Sequence, residues 1–159
     1  MTTKRIYLAG ALGCYGDKAE YPKVWRNRAK DFVNNMQDFY TKDVKWECVS
    51  PVDFYEYGAG LHKTEKEIMH FELRCVKNCD VVLVNIKDLE KSTGTNDEIL
   101  YAWTHNIPVI GFLETDDVLT EKEVESLLHP WKYEQISRID TGKFAMDDAL
   151  RYILDYYYL

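Results

Sequence analysis

The run Gly94-Thr95-Asn96-Asp97-Glu98 puts a carboxylate just inside the start of a helix that follows a buried strand. A glutamate in that place has two uses. It can close a capping box, with Thr95 as N-cap and Glu98 at the third helical position, each side chain accepting a backbone N–H. It can also do chemistry. The positive end of the helix dipole favours its ionised form, and an ionised, accurately held carboxylate at a strand end can attack a sugar carbon. Spacing alone leaves both open. Tyr7 lies near the end of the first strand, either as a core tyrosine with a satisfied hydroxyl or as a group facing a ligand. The small residues Ala9, Gly10 and Ala11 follow it and would let a ligand approach the backbone. Glu72 falls in mid-helix, where glutamates are usually solvated, but its neighbours Phe71 and Leu73 are apolar.

The elements that must position these groups centre on residues 80–112. Residues 80–86 form a near-continuous apolar, β-branched run, which reads as a strand covered on both faces of a parallel sheet. Gly94 breaks the pattern. Helical spacing runs from Asn96 to about His105, with Ile99, Ala102 and Trp103 on one side. After Pro108, residues 109–112 read as the next buried strand. Together they make a right-handed βαβ unit. Ligands in such sheets bind beyond the carboxyl ends of the strands, which is where the turn from Lys87 to Asp97 lies.

The rest of the chain is consistent with this. Residues 4–9 read as the first strand, ending at Gly10, and a helix with Pro22 in its first turn runs to about Gln37. Residues 45–49 read as a second strand, stopped by Ser50-Pro51. An aromatic and acidic loop, residues 53–58, then begins with Asp53 and could form a pocket wall. Thr64 and Glu67 make a capping box for a helix to about Asn78, and Thr120 and Glu123 make another for a short helix to about Leu128. Pro130-Trp131 is expected to end that helix, residues 133–136 to form a fifth, edge-type strand, and a last helix to start near residues 141–144. The aromatic tail, residues 156–159, is expected to pack on its own sheet or on a neighbouring subunit. The fold expected is a single α/β domain over residues 1–159, flavodoxin-like or Rossmann-like. It has about five mostly parallel strands, the first one central, with helices on both faces.

Composition narrows the function. The 159 residues are 46% hydrophobic and 14% aromatic, as in a folded protein, and the net charge is −7. No basic stripe offsets that charge, which argues against a nucleic-acid polymer as partner. GxGxxG and Walker glycine-lysine motifs are missing, which argues against dinucleotide enzymes and NTPases. No apolar run approaches membrane-spanning length. No secretory leader precedes the first strand, so a cytoplasmic location is expected. Cys75 and Cys79 lie one helical turn apart, unlike a zinc knuckle, and the four cysteines are expected to be reduced thiols. No metal or organic cofactor is implied.

Three segments together resemble the nucleoside 2-deoxyribosyltransferase family. Tyr7-Leu8-Ala9-Gly10 is similar to its opening strand. Residues 72–80, ELRCVKNCD, are similar to its helix-to-strand segment, where the family usually has aspartate in place of Glu72. The run from Gly94 to Glu98, followed by Tyr101-Ala102 and Pro108-Val109, is similar to its nucleophile helix and returning strand. The match spans Lys4 to about Phe112. It implies that Glu98 is the nucleophile toward the anomeric carbon of deoxyribose, that Tyr7 holds that carboxylate, and that Glu72 contacts the sugar or helps proton transfer. The implied reaction moves 2-deoxyribose between nucleobases through a covalent glutamyl-sugar intermediate. Its partners would be a small nucleoside or nucleotide and a free nucleobase. Candidate substrate contacts are Ala9, Gly10, Asp53, Ser92, Gly94 and Asp97.

Two departures from the family pattern open alternatives. Ser92 stands where the transferases commonly place a base-reading aspartate, for which Asp88 or Asp97 could substitute. A serine there resembles the related deoxynucleoside 5′-monophosphate N-hydrolases, where it contributes to phosphate binding, although Ala11-Leu12-Gly13-Cys14 lacks the serine-arginine pair of those hydrolases. Glu72 is one methylene longer than aspartate, enough to alter substrate fit. An N-glycoside hydrolase and a non-catalytic nucleotide-binding module are therefore the competing readings. The family is usually oligomeric, with a neighbour's segment completing each pocket. A homo-oligomer is expected on that ground.

Overall fold

The computed structural model describes residues 2–18, 20–40, 43–57 and 62–156. Five strands form one sheet in the order β2-β1-β3-β4-β5. They are β1 (Thr2–Ala9), β2 (Val44–Val49), β3 (Val81–Asn85), β4 (Val109–Glu114) and β5 (Arg138–Gly142). Every neighbouring pair is parallel. The middle of the sheet is β3, with β1 beside it, so the first strand is interior but not central. β3 is buried at all five positions, as its unbroken apolar run requires.

Side-chain alternation along β1 divides the core in two. Ile6 and Leu8 face α1 (Glu20–Met36) and α7 (Ala145–Tyr156), packing with Trp25, Ala29, Phe112, Leu150 and Ile153. Tyr7 and Ala9 face the other way, with Val76 of α3 (Glu65–Lys77) and Ile99 and Ala102 of α4 (Thr93–Thr104). Tyr7 is thus placed on the same side of the sheet as the helices that carry Glu72 and Glu98. Both Thr64–Glu67 and Thr120–Glu123 form full capping boxes, the second opening α5 (Glu121–Leu127).

Several expectations need correction. Residues 51–57 are a helix, α2 (Pro51–Tyr57), where a loop was expected. Pro51 both stops β2 and occupies the first helical position, where its missing N–H costs nothing. Residues 133–136 are not a strand: Pro130 opens α6 (Pro130–Gln135), and the fifth strand follows it. Trp103 does not share the buried side of Ile99 and Ala102 but is 53% exposed. In the tail, residues 157–159 lie outside those described, as does Gly58. Tyr156 is exposed and stacks on Tyr152, with centroids 5.3 Å apart. No helix among the described residues is long and apolar enough to cross a membrane.

The end of β1 is tightly packed at Gly10. A Cβ there would come 2.9 Å from Trp25 Cζ2, a rigid indole that is itself only 2% exposed. Gly10→Ala is therefore expected to destabilise the fold by about 1–3 kcal/mol through overpacking, read as a lower urea midpoint at unchanged slope.

Candidate active site

A cavity of about 680 Å³ opens beyond the carboxyl ends of β1 and β3, the position that parallel sheets reserve for ligands. Its volume lies in the range of small-molecule sites. Gly10 forms part of its lining at the end of β1. Glu72 of α3 and Ser92, Gly94 and Glu98 at the start of α4 also line it, with Val52 and Ile68 as apolar walls.

Local sequence explains how Glu98 gets there. The cap of α4 is Ser92, not Thr95: Ser92 Oγ accepts from the Thr95 N–H at 3.3 Å and shares a 2.7 Å hydrogen bond with the Thr95 hydroxyl. The Asn96 amide donates to the Leu89 and Ser92 carbonyls, both at 2.8 Å, fastening the helix to the preceding loop. The helix begins at Thr93, so Gly94 is inside its first turn and Glu98 stands in its second. The capping-box reading of Glu98 is thereby overturned. The extra hydroxyl-bearing residues before Thr95 displaced the start of the helix by one turn.

That shift places the Glu98 side chain in the interior, 6% exposed. Burial pushes its carboxyl up to about 8. The Tyr7 hydroxyl and Arg26 pull the other way, while the carboxylates of Glu72 and Asp97 add to the rise. An ionised group was expected from the helix dipole. The dipole acts mainly on the first turn, and at the second turn desolvation wins. Tyr7, fully buried, has its phenol raised by burial and then by Glu98 and Glu72. The Tyr7 hydroxyl and the Glu98 carboxyl interact with one another, but neither Tyr7 Oη nor Glu98 Oε2 reaches full hydrogen-bond geometry with any partner among the described residues. Such buried polar oxygens are costly; Glu98 lines the cavity, whereas Tyr7, 0% exposed, lies outside its lining.

The other candidates separate. Ala9 is wholly buried on the Tyr7 side of the sheet and does not reach the cavity lining. Asp53 faces Lys30, whose Nζ lies 2.7 and 2.6 Å from its two carboxylate oxygens; its neighbour Val52 lines the cavity instead. Asp97 is exposed and outside the lining. Asp88 is engaged by the Tyr15 hydroxyl at 2.5 Å and by Lys91 at 3.3 Å. At a Gly94 Cβ nothing would lie within 4 Å, so this glycine leaves open space at the mouth rather than enabling a strained turn.

Sequence reasoning missed Lys23, Glu65 and Lys91 on the cavity wall, and Arg26 behind it. Arg26 is 1% exposed. Its position was readable: it lies four residues after Pro22 and three before Ala29, on the face of α1 that the apolar stripe buries. All four cysteines are free. Cys14 is exposed and lines the cavity, while burial pushes the Cys48 and Cys79 thiols up to about 12.

No protein-family model matches the chain, and no curated protein matches it in sequence. Solved structures do. A conserved protein from Enterococcus faecalis V583 superposes with a TM-score of 0.64 at 15% identity, covering 97% of this chain and 99% of the other. A 2-desoxiribosyltransferase from Leishmania mexicana gives 0.64 at 16% identity, covering 96% and 98%. A 2-deoxyribosyltransferase from Bacillus psychrosaccharolyticus gives 0.53 at 18% identity, covering 79% and 82%. The chain therefore shares the α/β fold of these two deoxyribosyltransferases, over nearly its whole length in one case and about four fifths in the other.

Proposed function

We propose that this chain is a nucleoside 2-deoxyribosyltransferase in which Glu98 is the nucleophile. The observation that carries the reading is the buried Glu98 carboxyl, unpaired at Oε2, on the wall of a cavity that Glu72 also lines. The fold shared with two deoxyribosyltransferases supports it. In the first step a Glu98 carboxylate oxygen bonds to C1′ of the sugar as the C1′–N bond breaks. The bonding electrons leave with the nucleobase, which takes up a proton from solvent beside the Glu72 carboxylate. In the second step a nitrogen of the incoming base bonds to C1′ and releases its proton to solvent by the same route, and the electrons of the C1′–O bond return to Glu98. Two displacements at C1′ retain its configuration. Tyr7, beneath the carboxylate, orients it and donates to it once charge develops. The open cavity suits exchange of one base for another. A second copy of the chain completing the pocket is part of this reading, as is a cytoplasmic setting.

One observation favours a second reading, hydrolysis of deoxynucleoside 5′-monophosphates. The start of α4 presents Ser92, Thr93 and Thr95 to the same cavity that Lys23 and Lys91 border, and helix N-termini favour anions. The two readings separate by chromatography of deoxynucleosides and their monophosphates, each with and without a second free base. A new nucleoside formed only with acceptor base supports transfer. Base released equally without acceptor, chiefly from monophosphates, supports hydrolysis. Ligand binding without turnover would assign the chain to the non-catalytic class.

Glu98→Ala is expected to lower kcat/KM by about 10³-fold or more while leaving the fold intact, checked by the same assay beside circular dichroism. Only the ionised carboxyl attacks, so log kcat/KM should rise with pH and level off above about 8. Stability should move oppositely. The folded protein holds the Glu98 proton between the ordinary carboxylate range and about 8, where the unfolded chain has released it. Folding therefore weakens as pH rises through that window. Urea midpoints of the Glu98→Gln variant should gain on those of the unmodified protein between about pH 5 and 8. A constant difference across that range would contradict it.

A further inference from the structure

Arg26 is a buried cation outside the chemistry just described. Its guanidinium donates only to neutral backbone oxygens among the hydrogen bonds described: Nε to Leu8 at 3.2 Å, Nη1 to Pro22 at 3.1 Å and Nη2 to Gly10 at 3.0 Å. Cζ lies 4.5 Å from the centre of the Trp25 ring. Leu8 and Gly10 bracket the end of β1, directly after Tyr7, and Gly10 lines the cavity. Arg26 thus clamps the β1 terminus from the α1 side, just behind the cavity lining. A buried charge is costly without an opposing one. Carbonyl dipoles supply part of the compensation. The ionisable groups that feel this guanidinium are Glu98, Tyr7, Glu72 and Asp53, and three of those four belong to the site.

We propose that Arg26 is a positioning residue for the nucleophile: it fixes the end of β1, where Gly10 lines the same cavity as Glu98, and supplies the fixed positive charge that lets Glu98 become an anion in a dry site. The inference rests on Glu98 being the nucleophile. The groups that act most on Glu98 are Tyr7 from β1, Arg26 from α1, Glu72 from α3 and Asp97 from its own helix, and Cys75 of α3 also feels its charge. Arg26 is the one cation among them, and Glu72 and Asp97 oppose ionisation. When the glycosyl ester breaks and Glu98 leaves as a carboxylate, the same charge stabilises it. Arginine suits the task because it keeps its proton even when buried.

The test titrates the Glu98 carboxyl by ¹³C NMR of glutamate-labelled protein, assigned by the peak lost in Glu98→Gln. Arg26→Gln removes the charge but keeps an amide donor toward Gly10. Arg26→Met is a second neutral variant should the first not fold, and Arg26→Lys retains the charge. Either neutral variant is expected to raise the Glu98 midpoint by about one pH unit, and to cut kcat/KM about tenfold on the acid side of the profile with recovery at high pH. Arg26→Lys is expected to restore most of the midpoint. An unmoved midpoint in a folded neutral variant, or a Lys variant matching the neutral ones, would overturn the proposal. The readouts fail separately. A midpoint that shifts in a protein that cleaves no nucleoside refutes the catalytic reading alone. Nucleoside cleavage with an unmoved midpoint refutes the role of Arg26 alone.

Discussion

The constraint on which the site depends is a carboxyl group held out of water with one oxygen unpaired. Desolvation, the largest influence on Glu98, pushes its carboxyl up to about 8 against the Tyr7 hydroxyl and Arg26, which favour the ionised form. A carboxyl buried at this position is costly in a way that an apolar side chain is not. What distinguishes the carboxyl is its surroundings: the Tyr7 phenol, a second carboxyl, Glu72, on the same cavity and a guanidinium, Arg26, bound to the end of β1. These groups come from β1, α1, α3 and α4, and only the sheet brings them together.

The sheet does this through parallel pairing. Pairing of Ile6–Ala9 with Val81–Val84 brings the ends of β1 and β3 level, so the turns that leave them open into one cavity. Alternation along β1 sends Tyr7 toward α3 and α4 and leaves Leu8 for α1. Arg26 reaches from α1 past the strand end to the carbonyls of Leu8 and Gly10. Gly10 has no room for a side chain because Trp25 occupies it. The cavity wall and the core packing therefore meet at a single residue, and changes at Gly10 or Trp25 act on both.

The buried runs made most of the fold legible in the sequence. Four of the five strands stand where apolar, β-branched residues put them, and two capping boxes open the helices expected of them. The misses share a cause. At 51–57 and 130–135, short segments with proline were read as interruptions, whereas proline equally begins a helix. At α4, five candidate capping residues, Ser92, Thr93, Thr95, Asn96 and Asp97, occur close together, and sequence alone could not say that Ser92 takes the role. That choice moves Glu98 by a full turn, from a solvated cap to a buried wall. Glu72, Ser92, Gly94, Gly10 and Glu98 converge as their places in the pattern suggested. Asp53 and Asp97 do not, because an ion pair holds one and exposure the other. The place of Arg26 on the buried face of α1 was readable from the stripe, but its role was not, because the carbonyl partners that hold it lie at the end of β1 and are visible only in the fold.

The most direct measurement of the central claim is intact-protein mass spectrometry after rapid acid quench. The protein would be mixed with a deoxynucleoside and no acceptor base, then digested and sequenced by fragmentation. The account predicts one added deoxyribosyl unit, carried by the peptide of α4 and localised to Glu98, that disappears when a free base is supplied before the quench. Turnover with no adduct at any quench time, or an adduct localised to another residue, would contradict it.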